Sequence, residues 1–292
     1  MQDSDLPKEQ ARNVMGTCSV CKGGVHDAAR CCGTCAKLVE AIKQVIAREE
    51  KRELVQQRKN KNVLNPPRTF MPEVFWKQMV DCLCTSNQRV DDDKPVPRFL
   101  KLDPFPLSLL RCKEQEQSTL ESYARQKIQR AGVNYSNQIA GRLVWNLNWL
   151  ENSGGWSKVE GQFELLAGIP PRSPNAADCI ATAEKDKEIE REAAHVAMKM
   201  KGIGPKQSRN LWICLGLTRY ETPLDSRVMK WFKERQAPFI GKKNLSSSKD
   251  YEEIENCIQS LCKEANEFPC VFDAAAFISE EKPAKAAKKA AE

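Results

Sequence analysis

Between Phe70 and Phe277, apolar side chains recur every three or four positions, which is the period of an amphipathic α-helix. Strand-like alternation with hairpin turns is scarce in the same region. Three of the predicted helices have their apolar positions at Val74, Phe75, Met79, Cys82 and Leu83; at Ile139, Leu143, Leu147 and Leu150; and at Ile189, Ala193, Val196 and Met200. The pattern predicts an all-α fold for this part of the chain.

The composition is that of a globular protein in a reducing compartment. The 292 residues carry a formal net charge of +7 and are 41% hydrophobic, and the mean hydropathy is −0.57. No run approaches the roughly 18 apolar residues of a membrane-spanning helix, and the first residues lack the apolar core of a secretion signal. We therefore expect an intracellular protein without a membrane partner, in the cytoplasm or nucleoid of a prokaryote or in the nucleus of a eukaryote.

Changes in composition divide the chain into three predicted parts. A charged stretch with helical spacing, 37–61, holds eight basic and four acidic residues, and Asn65-Pro66-Pro67 then breaks the pattern. The last residues are a Lys/Ala-rich segment of low complexity. We predict an N-terminal module with a basic helix at 1–62, a helical domain at 63–279 and a solvated tail at 280–292.

Five of the 13 cysteines lie between positions 18 and 35. They include two Cys-x-x-Cys pairs separated by ten residues, with Gly23-Gly24 and Gly33 available for tight turns. Four thiolates in this arrangement suit a structural, tetrahedral zinc ion, with Cys31 and His26 as alternative ligands. The two pairs are Cys18 with Cys21 and Cys32 with Cys35. The other interpretations are a redox pair or thiols without a ligand.

The segment Met200–Gly216 predicts two helices joined by a short hairpin. Gly202 and Gly204 flank Ile203, and Pro205 suits the first turn of a helix that ends at Gly216. The glycines allow a partner to approach the backbone closely, and the N–H groups at the helix start form an anion site that suits a DNA phosphate. The alternative is an ordinary αα-hairpin.

Two polar residues near the hairpin are candidates for chemistry. Lys206 lies in the first helical turn, where a cation opposes the helix dipole, so the position suits an amine that acts in its neutral, nucleophilic form. Asp225 follows nineteen positions later and precedes Val228, Trp231 and Phe232, which continue as a helical face. Asp225 is therefore a predicted helix N-cap. Capping is compatible with catalysis because it would fix the position of the carboxylate.

Lys-Gly-Ile-Gly-Pro-Lys206 followed by Pro-Leu-Asp225 resembles the helix-hairpin-helix (HhH-GPD) DNA glycosylase superfamily over about Phe70–Phe277. The hairpin lysine is similar to that of its bifunctional members, the 8-oxoguanine glycosylases and endonuclease III. The resemblance implies a DNA glycosylase with AP lyase activity in base excision repair. Lys206 would form a Schiff base, Asp225 would assist it, and Gly202 and Gly204 would contact DNA.

Two more segments resemble the 8-oxoguanine branch. Leu83-Cys-Thr-Ser-Asn87 is similar to its Ile-Cys-Ser-Ser-Asn, which implies that Asn87 fills the gap left by the extruded base. Gln88 is the rival, because endonuclease III uses a nearby glutamine. Asp273-Ala-Ala-Ala-Phe277 is similar to its Gln-x-x-x-Phe, which implies that Phe277 stacks on the base and Asp273 hydrogen-bonds to it. The alternative is a core Phe277 with an exposed Asp273.

The chain also departs from the branch. Asn210 stands in place of a base-stacking cysteine, Arg227 in place of a histidine and Asp273 in place of the glutamine, so the identity of the base is open. The resemblance still places Asn210 in the base pocket and Arg227 at the DNA. The N-terminal part is too short for the β-rich domain of the eukaryotic 8-oxoguanine enzymes.

A second set of cysteines near the C-terminus does not match endonuclease III. Its iron–sulfur loop has the spacing Cys-x6-Cys-x2-Cys-x5-Cys, which the chain does not reproduce. We therefore expect no iron–sulfur cluster and interpret these residues as buried thiols. They are Cys257, Cys262 and Cys270.

Taken together, the motifs predict an enzyme that flips an oxidised base, 8-oxoguanine above all, out of duplex DNA and excises it. The expected partner is damaged double-stranded DNA, the expected cofactor is structural zinc, and the expected state is a monomer. One alternative is an oxidised-pyrimidine glycosylase with the same lysine chemistry. The other is a DNA-binding protein in which the zinc module and the hairpin bind phosphates without chemistry.

Overall fold

The computed structural model of the chain describes residues 16–18, 20, 24–25, 32–86, 94–171, 183–241 and 244–280. The N-terminal part of this structure has two short strands, β1 (Gly16–Thr17) and β2 (Gly24–Val25), which pair antiparallel with Gly16 opposite Val25. The helices that follow are α1 (Gly33–Glu49), α2 (Glu53–Arg58), a π-helix (Lys59–Leu64), α3 (Pro72–Thr85), α4 (Pro95–Leu100), α5 (Leu109–Lys113), α6 (Gln117–Arg130), α7 (Ser136–Asn152), α8 (Gly155–Gly168), α9 (Ala183–Ala197), α10 (Pro205–Cys214), α11 (Ser226–Glu234), α12 (Ser248–Ala265) and α13 (Pro269–Ser279).

The predicted all-α fold is confirmed over the described residues from 32 onward, where the regular elements are helices. Helix α7 buries the apolar face that its periodicity predicts, and α3 does so apart from Val74, which is exposed. Helix α9 ends at Ala197 rather than near Met200. The N–H groups of Lys199 and Met200 bond to carbonyls only three residues back, and this tighter turn leads into the hairpin.

The described helices pack around two hydrophobic cores. The first core is built by α3 to α10 and contains fully buried aromatic residues such as Phe75, Trp76 and Trp212. The indole N–H of Trp212 donates to the carbonyl of Ala193 at 2.7 Å, which joins α10 to α9. Aromatic burial of this extent is a large part of the free energy that stabilises a domain.

The second core joins the two ends of the chain. Helix α1 buries one apolar face against α12 and α13, and α2 packs on α13. Ile42 of α1, Trp231 of α11 and Phe272 of α13 are each 0% exposed in this core. The predicted basic stretch 37–61 is thus divided among α1, α2 and the π-helix, and α1 packs on its apolar side into the same core as the last helices of the chain.

Helix α10 takes part in both cores. Leu211 and Trp212 belong to the first core and Ile213 to the second. The two cores therefore meet at the last turn of α10, the helix that begins at the hairpin. No helix within the described ranges combines the length and hydropathy needed to cross a membrane.

Candidate active site

The hairpin places two glycines under different constraints. Gly202 has φ +88°, a left-handed conformation, and a Cβ there would lie 2.5 Å from Cδ of Arg142. Gly202 is therefore required by the fold itself. Gly204 is the N-cap of α10 in an extended conformation, and a Cβ there would have no atom within 4 Å. The backbone at Gly204 is consequently open to a partner.

A buried asparagine holds the hairpin from the neighbouring helix. Asn146 of α7 is 0% exposed. Its Oδ1 accepts from the N–H of Lys201 at 2.7 Å, and its Nδ2 donates to the carbonyl of Lys201 at 3.1 Å. Asn146 is not among the residues predicted from the sequence. Its signal is a polar side chain seven positions after Ile139 and three after Leu143, on the apolar face of a predicted helix.

The first turn of α10 leaves one side chain exposed. Pro205 opens the helix and Lys206 is its second residue, with an exposed side chain. The Nζ of Lys206 makes no hydrogen bond or ion pair with the described residues. The next residue, Gln207, is buried and its Nε2 donates to Oγ of Ser86 at 3.0 Å. The start of α10 is thus held against the end of α3 while the lysine stays available.

Ser86 is the residue before the predicted gap-filling position. Asn87 and Gln88 lie outside the described residues, so their assignment stays a prediction. The hydrogen bond between Gln207 and Ser86 does bring the end of α3 to the turn that carries Lys206.

Asp225 is the N-cap of α11, as its sequence context predicts. Its Oδ1 accepts from the N–H groups of Arg227 and Val228, each at 2.9 Å. No described residue donates a hydrogen bond to Oδ2, and the side chain is half-buried. Capping therefore uses one carboxylate oxygen and fixes the direction of the other.

Asp273 connects the candidate residues electrostatically. It lies in α13 and is 7% exposed, so the alternative with an exposed Asp273 is wrong. Burial raises the pKa of Asp273 to about 7; the negative charge of Asp225 raises the pKa further, whereas the positive charges of Arg58 and Lys206 lower it. The fold therefore brings Lys206, Asp225 and Asp273 into one electrostatic neighbourhood, although they come from three separate helical segments.

Phe277 lies one helical turn after Asp273, and its ring contacts an arginine. The guanidinium of Arg227 stacks on the ring, with its carbon 3.9 Å from the ring centroid. Phe277 is partly exposed rather than fully buried in the core. One face of the aromatic ring is thus covered by Arg227, and the predicted base-stacking residue and the predicted DNA-contacting residue touch each other.

Asn210 lies one turn after Lys206 and between two thiols. Its Nδ2 donates to Sγ of Cys82 at 3.6 Å, and its Oδ1 accepts from Sγ of Cys214 at 3.6 Å. The thiol of Cys82 is fully buried, and burial raises its pKa well above the ordinary value. A neutral thiol therefore faces the amide of Asn210.

An arginine of the N-terminal segment also reaches this region, which the sequence analysis did not anticipate. Arg58 of α2 donates through Nη1 to the carbonyl of Ile213 at 2.7 Å and through Nη2 to Sγ of Cys214 at 3.7 Å. The charged stretch gave no signal that singled out Arg58 among its eight basic residues.

Three of the predicted metal ligands lie together. The Sγ atoms of Cys18, Cys32 and Cys35 are within 4.8 Å of one another. Cys32 is the N-cap of α1, Cys35 is in its first turn, and the N–H of Cys32 donates to Sγ of Cys18 at 3.4 Å. A helix N-terminus and a donated N–H both favour thiolates. Cys21, Cys31 and His26 lie outside the described residues.

The C-terminal cysteines differ in their burial. Cys262 and Cys270 are buried, and burial raises the pKa of the Cys270 thiol to about 12. Cys257 is only half-buried, and its Sγ donates to the carbonyl of Val20 at 3.5 Å. This contact joins α12 to the segment that contains Cys18.

Known proteins match this chain by structure rather than by sequence. No family model and no curated protein sequence matches it. Among solved structures, it is similar to the 8-oxoguanine DNA glycosylase of Methanocaldococcus jannaschii, with 17% identity, a TM-score of 0.51, and coverage of 84% of this chain and 94% of that one. A structure described as the glycosylase/lyase from that organism, in complex with a 15mer DNA containing 8-oxoguanine, gives 16% identity, a TM-score of 0.50 and coverage of 84% and 98%.

A bacterial structure gives a similar result. The 8-oxoguanine DNA glycosylase of Thermotoga maritima has 18% identity and a TM-score of 0.52, with coverage of 83% of this chain and 95% of that one. The likeness extends over most of both chains. The protein therefore has the fold of a helix-hairpin-helix DNA glycosylase, as its hairpin motif predicts.

The raised pKa of Asp273 makes a testable contribution to stability. Its folded-state pKa, about 7, exceeds the ordinary value of 3.8, so the native state binds the proton more tightly. The contribution is therefore full below about pH 4 and is lost as the pH rises through 7. Because asparagine cannot ionise, we expect the free energy of unfolding of Asp273→Asn, relative to wild type, to increase by roughly 1–3 kcal/mol between pH 5 and pH 8.

Urea unfolding at the two pH values measures this difference. The matched control is Gln129→Asn on the exposed face of α6, which exchanges two side chains that do not ionise, so its difference should not depend on pH. A pH-independent difference for Asp273→Asn as well would show that Asp273 does not titrate with a raised pKa.

Proposed function

We propose that this protein is a bifunctional DNA glycosylase/AP lyase that excises 8-oxoguanine from duplex DNA in base excision repair. The observation that carries the proposal is that the charges of Lys206 and Asp225 both act on the buried carboxyl group of Asp273, while Lys206 is exposed in the first turn of α10. The fold supports it, because the similar structures are described as 8-oxoguanine DNA glycosylases and one of them holds DNA containing that lesion.

The backbone of the hairpin would bind the DNA strand. The first N–H groups of an α-helix have no intrahelical acceptor and carry the positive end of the helix dipole. At α10 they follow Gly204, where no side chain blocks the approach of a phosphate. Arg227, near the start of α11, would add a cation beside the base pocket. Asn87, with Gln88 as its rival, would fill the space left by the extruded nucleotide.

The exposed amine of Lys206 would be the nucleophile. It attacks C1′ of the flipped nucleotide, the N-glycosidic bond breaks, and the departing base takes a proton. Asp225, whose Oδ1 alone makes the capping bonds, would stabilise the developing positive charge on the sugar. Opening of the sugar ring then gives a Schiff base between Lys206 and C1′, and loss of a C2′ proton expels the 3′ phosphate by β-elimination.

Asp273, Phe277 and Asn210 would form the base pocket. A carboxyl whose pKa is about 7 is substantially protonated at neutral pH, so it offers one O–H donor and one carbonyl acceptor. The amide of a glutamine offers the same pair of groups. Asp273 can therefore replace the glutamine of the 8-oxoguanine branch without losing the hydrogen-bonding pattern, provided that it stays protonated.

The thiols of the N-terminal segment fit a structural zinc ion. Sulfur atoms bound to one tetrahedral zinc at about 2.3 Å lie about 3.8 Å apart, and the three described Sγ atoms lie within 4.8 Å of one another. We propose Cys18, Cys32 and Cys35 as ligands and Cys21 as the fourth. Zinc would fix the start of α1, which packs on α13, the helix that holds Asp273.

The Schiff base can be tested by borohydride trapping on DNA. We expect wild-type protein to form a covalent complex with an 8-oxoguanine duplex in the presence of borohydride, and Lys206→Gln to form none, because only an imine with a primary amine is reduced to a stable link. The exposed Lys43→Gln in α1 is the matched control and should cross-link as wild type does. Cross-linking by Lys206→Gln would refute the assignment.

The lesion can be tested on a panel of duplexes. Single-turnover cleavage would be measured on strands containing 8-oxoguanine, thymine glycol or dihydrouracil, each opposite all four bases. We expect 8-oxoguanine to be cleaved at least tenfold faster than the two pyrimidine lesions, a difference of about 1.4 kcal/mol in activation free energy. Faster cleavage of the pyrimidine lesions would favour the endonuclease III-like alternative. Salt-sensitive binding without any cleavage would favour the non-catalytic one.

Metal analysis tests the zinc assignment. We expect the purified protein to contain about one zinc ion per chain, and removal by a chelator to lower the melting temperature. Cys35→Ser should lose the zinc, whereas the matched control Cys112→Ser, at a buried thiol of α5, should retain it. Absence of zinc from the wild-type protein, or full retention by Cys35→Ser, would contradict the assignment.

A further inference from the structure

The connection between α10 and α11 is buried but has no regular secondary structure. Its residues from Thr218 to Thr222 are each at most 4% exposed, and Leu224 is 3% exposed. Buried backbone N–H groups need acceptors, and in this segment side chains of other helices supply them. The segment ends at Asp225, so these side chains determine where the proposed catalytic carboxylate lies.

A glutamate of α9 holds the first half of the segment. Glu190 is 0% exposed, and its two carboxylate oxygens accept from the N–H groups of Arg219 at 2.9 Å, Tyr220 at 2.7 Å and Glu221 at 2.9 Å. Three successive backbone donors are therefore bound by one side chain.

Two residues of α12 hold the second half. Oε1 of Glu255 accepts from the N–H of Thr222 at 2.8 Å. The hydroxyl of Tyr251 accepts from the N–H of Leu224 at 2.6 Å and donates to the carbonyl of Thr222 at 3.0 Å. Tyr251 thus bonds to the backbone on both sides of Pro223, and the residue after Leu224 is Asp225.

An arginine connects this arrangement to the helix of Lys206. Arg209, three residues after Lys206, has a fully buried side chain. It donates through Nε to Glu221 at 2.9 Å and through Nη2 to Glu255 at 3.1 Å. Its guanidinium also lies over the ring of Tyr251, 4.9 Å from the centroid.

Stability alone is a weak reason for such an arrangement. Burying charged groups costs desolvation free energy, and well-packed apolar side chains often stabilise a fold as well or better. The polar groups instead fix the relative position of two segments. Arg209 is on the same helix as Lys206, and Glu255 and Tyr251 bond to the backbone just before Asp225. A displacement of about 1 Å between reacting groups can reduce a rate about 100-fold.

We propose that Tyr251, together with Arg209 and Glu255, is a positioning residue for base excision, which holds Asp225 at a fixed place relative to Lys206. This inference rests on the proposed function. Tyr251 does not contact DNA in this scheme; it acts through the backbone of Thr222 and Leu224.

Single-turnover kinetics on an 8-oxoguanine duplex test the proposal. Tyr251→Phe removes the hydroxyl and leaves the ring under Arg209. We expect the rate of base excision to fall about 10- to 100-fold, with the concentration of enzyme that gives half the maximal rate unchanged within about twofold, because no DNA contact is lost. The matched control is Tyr123→Phe in α6. Its hydroxyl donates at 2.8 Å to the carbonyl of Pro106, in the connection between α4 and α5.

A double-mutant cycle with Asp225→Asn separates positioning from general loosening of the fold. If Tyr251 acts through Asp225, Tyr251→Phe causes no further loss in the Asp225→Asn background. A wild-type rate for Tyr251→Phe, an equal loss in both backgrounds, or an equal loss for Tyr123→Phe would overturn the proposal. Glu255→Gln, which keeps an acceptor for Thr222 and exchanges the carboxyl group that faces Arg209 for an amide, serves as the second variant if Tyr251→Phe does not fold.

The Asp225→Asn and Tyr251→Phe rates together separate the proposed role of Asp225 from the positioning role of Tyr251. A wild-type rate for Asp225→Asn would overturn the proposed role of Asp225 and this inference with it. A reduced rate for Asp225→Asn together with a wild-type rate for Tyr251→Phe would overturn the positioning role alone.

Discussion

Helix α10 has to satisfy two hydrophobic cores at once, and the position of the candidate site follows from this constraint. Leu211 and Trp212 pack in the first core, and Ile213 packs in the second. The orientation of the helix is therefore fixed from both sides. The exposed side chain of the first turn, Lys206, points away from this packing while Gln207 is buried. A nucleophile on such a helix is placed by the packing of the whole molecule.

The other end of α10 depends on the N-terminal segment. The last carbonyls of a helix lack intrahelical donors. Here Nδ2 of Asn62 donates to the carbonyls of Ile213 at 2.9 Å and Thr218 at 2.7 Å, and Arg58 donates to Ile213 as well. Arg58 and Asn62 lie on successive turns where α2 passes into the π-helix. Residues before position 63 thus complete the helix that carries the proposed nucleophile, Lys206.

The sequence was sufficient to predict those features that depend on local rules. Glycines, a proline and a lysine define the hairpin and the start of α10, and an aspartate before an apolar face defines the cap of α11. The remaining features depend on contacts between distant segments. Neither the burial of Asp273 nor the acceptance of three backbone donors by Glu190 has a local signature, because each is set by packing of helices far apart in the chain. Asn146 is the intermediate case, since its helix was predicted but its partner was not.

The fold requires a glycine at position 202 of the hairpin but not at position 204. A side chain at position 202 would collide with Arg142, so the folded chain excludes it. At position 204 a Cβ would have no atom within 4 Å, so the fold accepts a side chain there. A serine N-cap would stabilise α10 by a few tenths of a kcal/mol relative to glycine. A serine oxygen, however, would occupy the same helix-start donors that an anion would need. With glycine at the N-cap, the first N–H groups of α10 have no side-chain acceptor from Gly204 and remain open to water or to an anion.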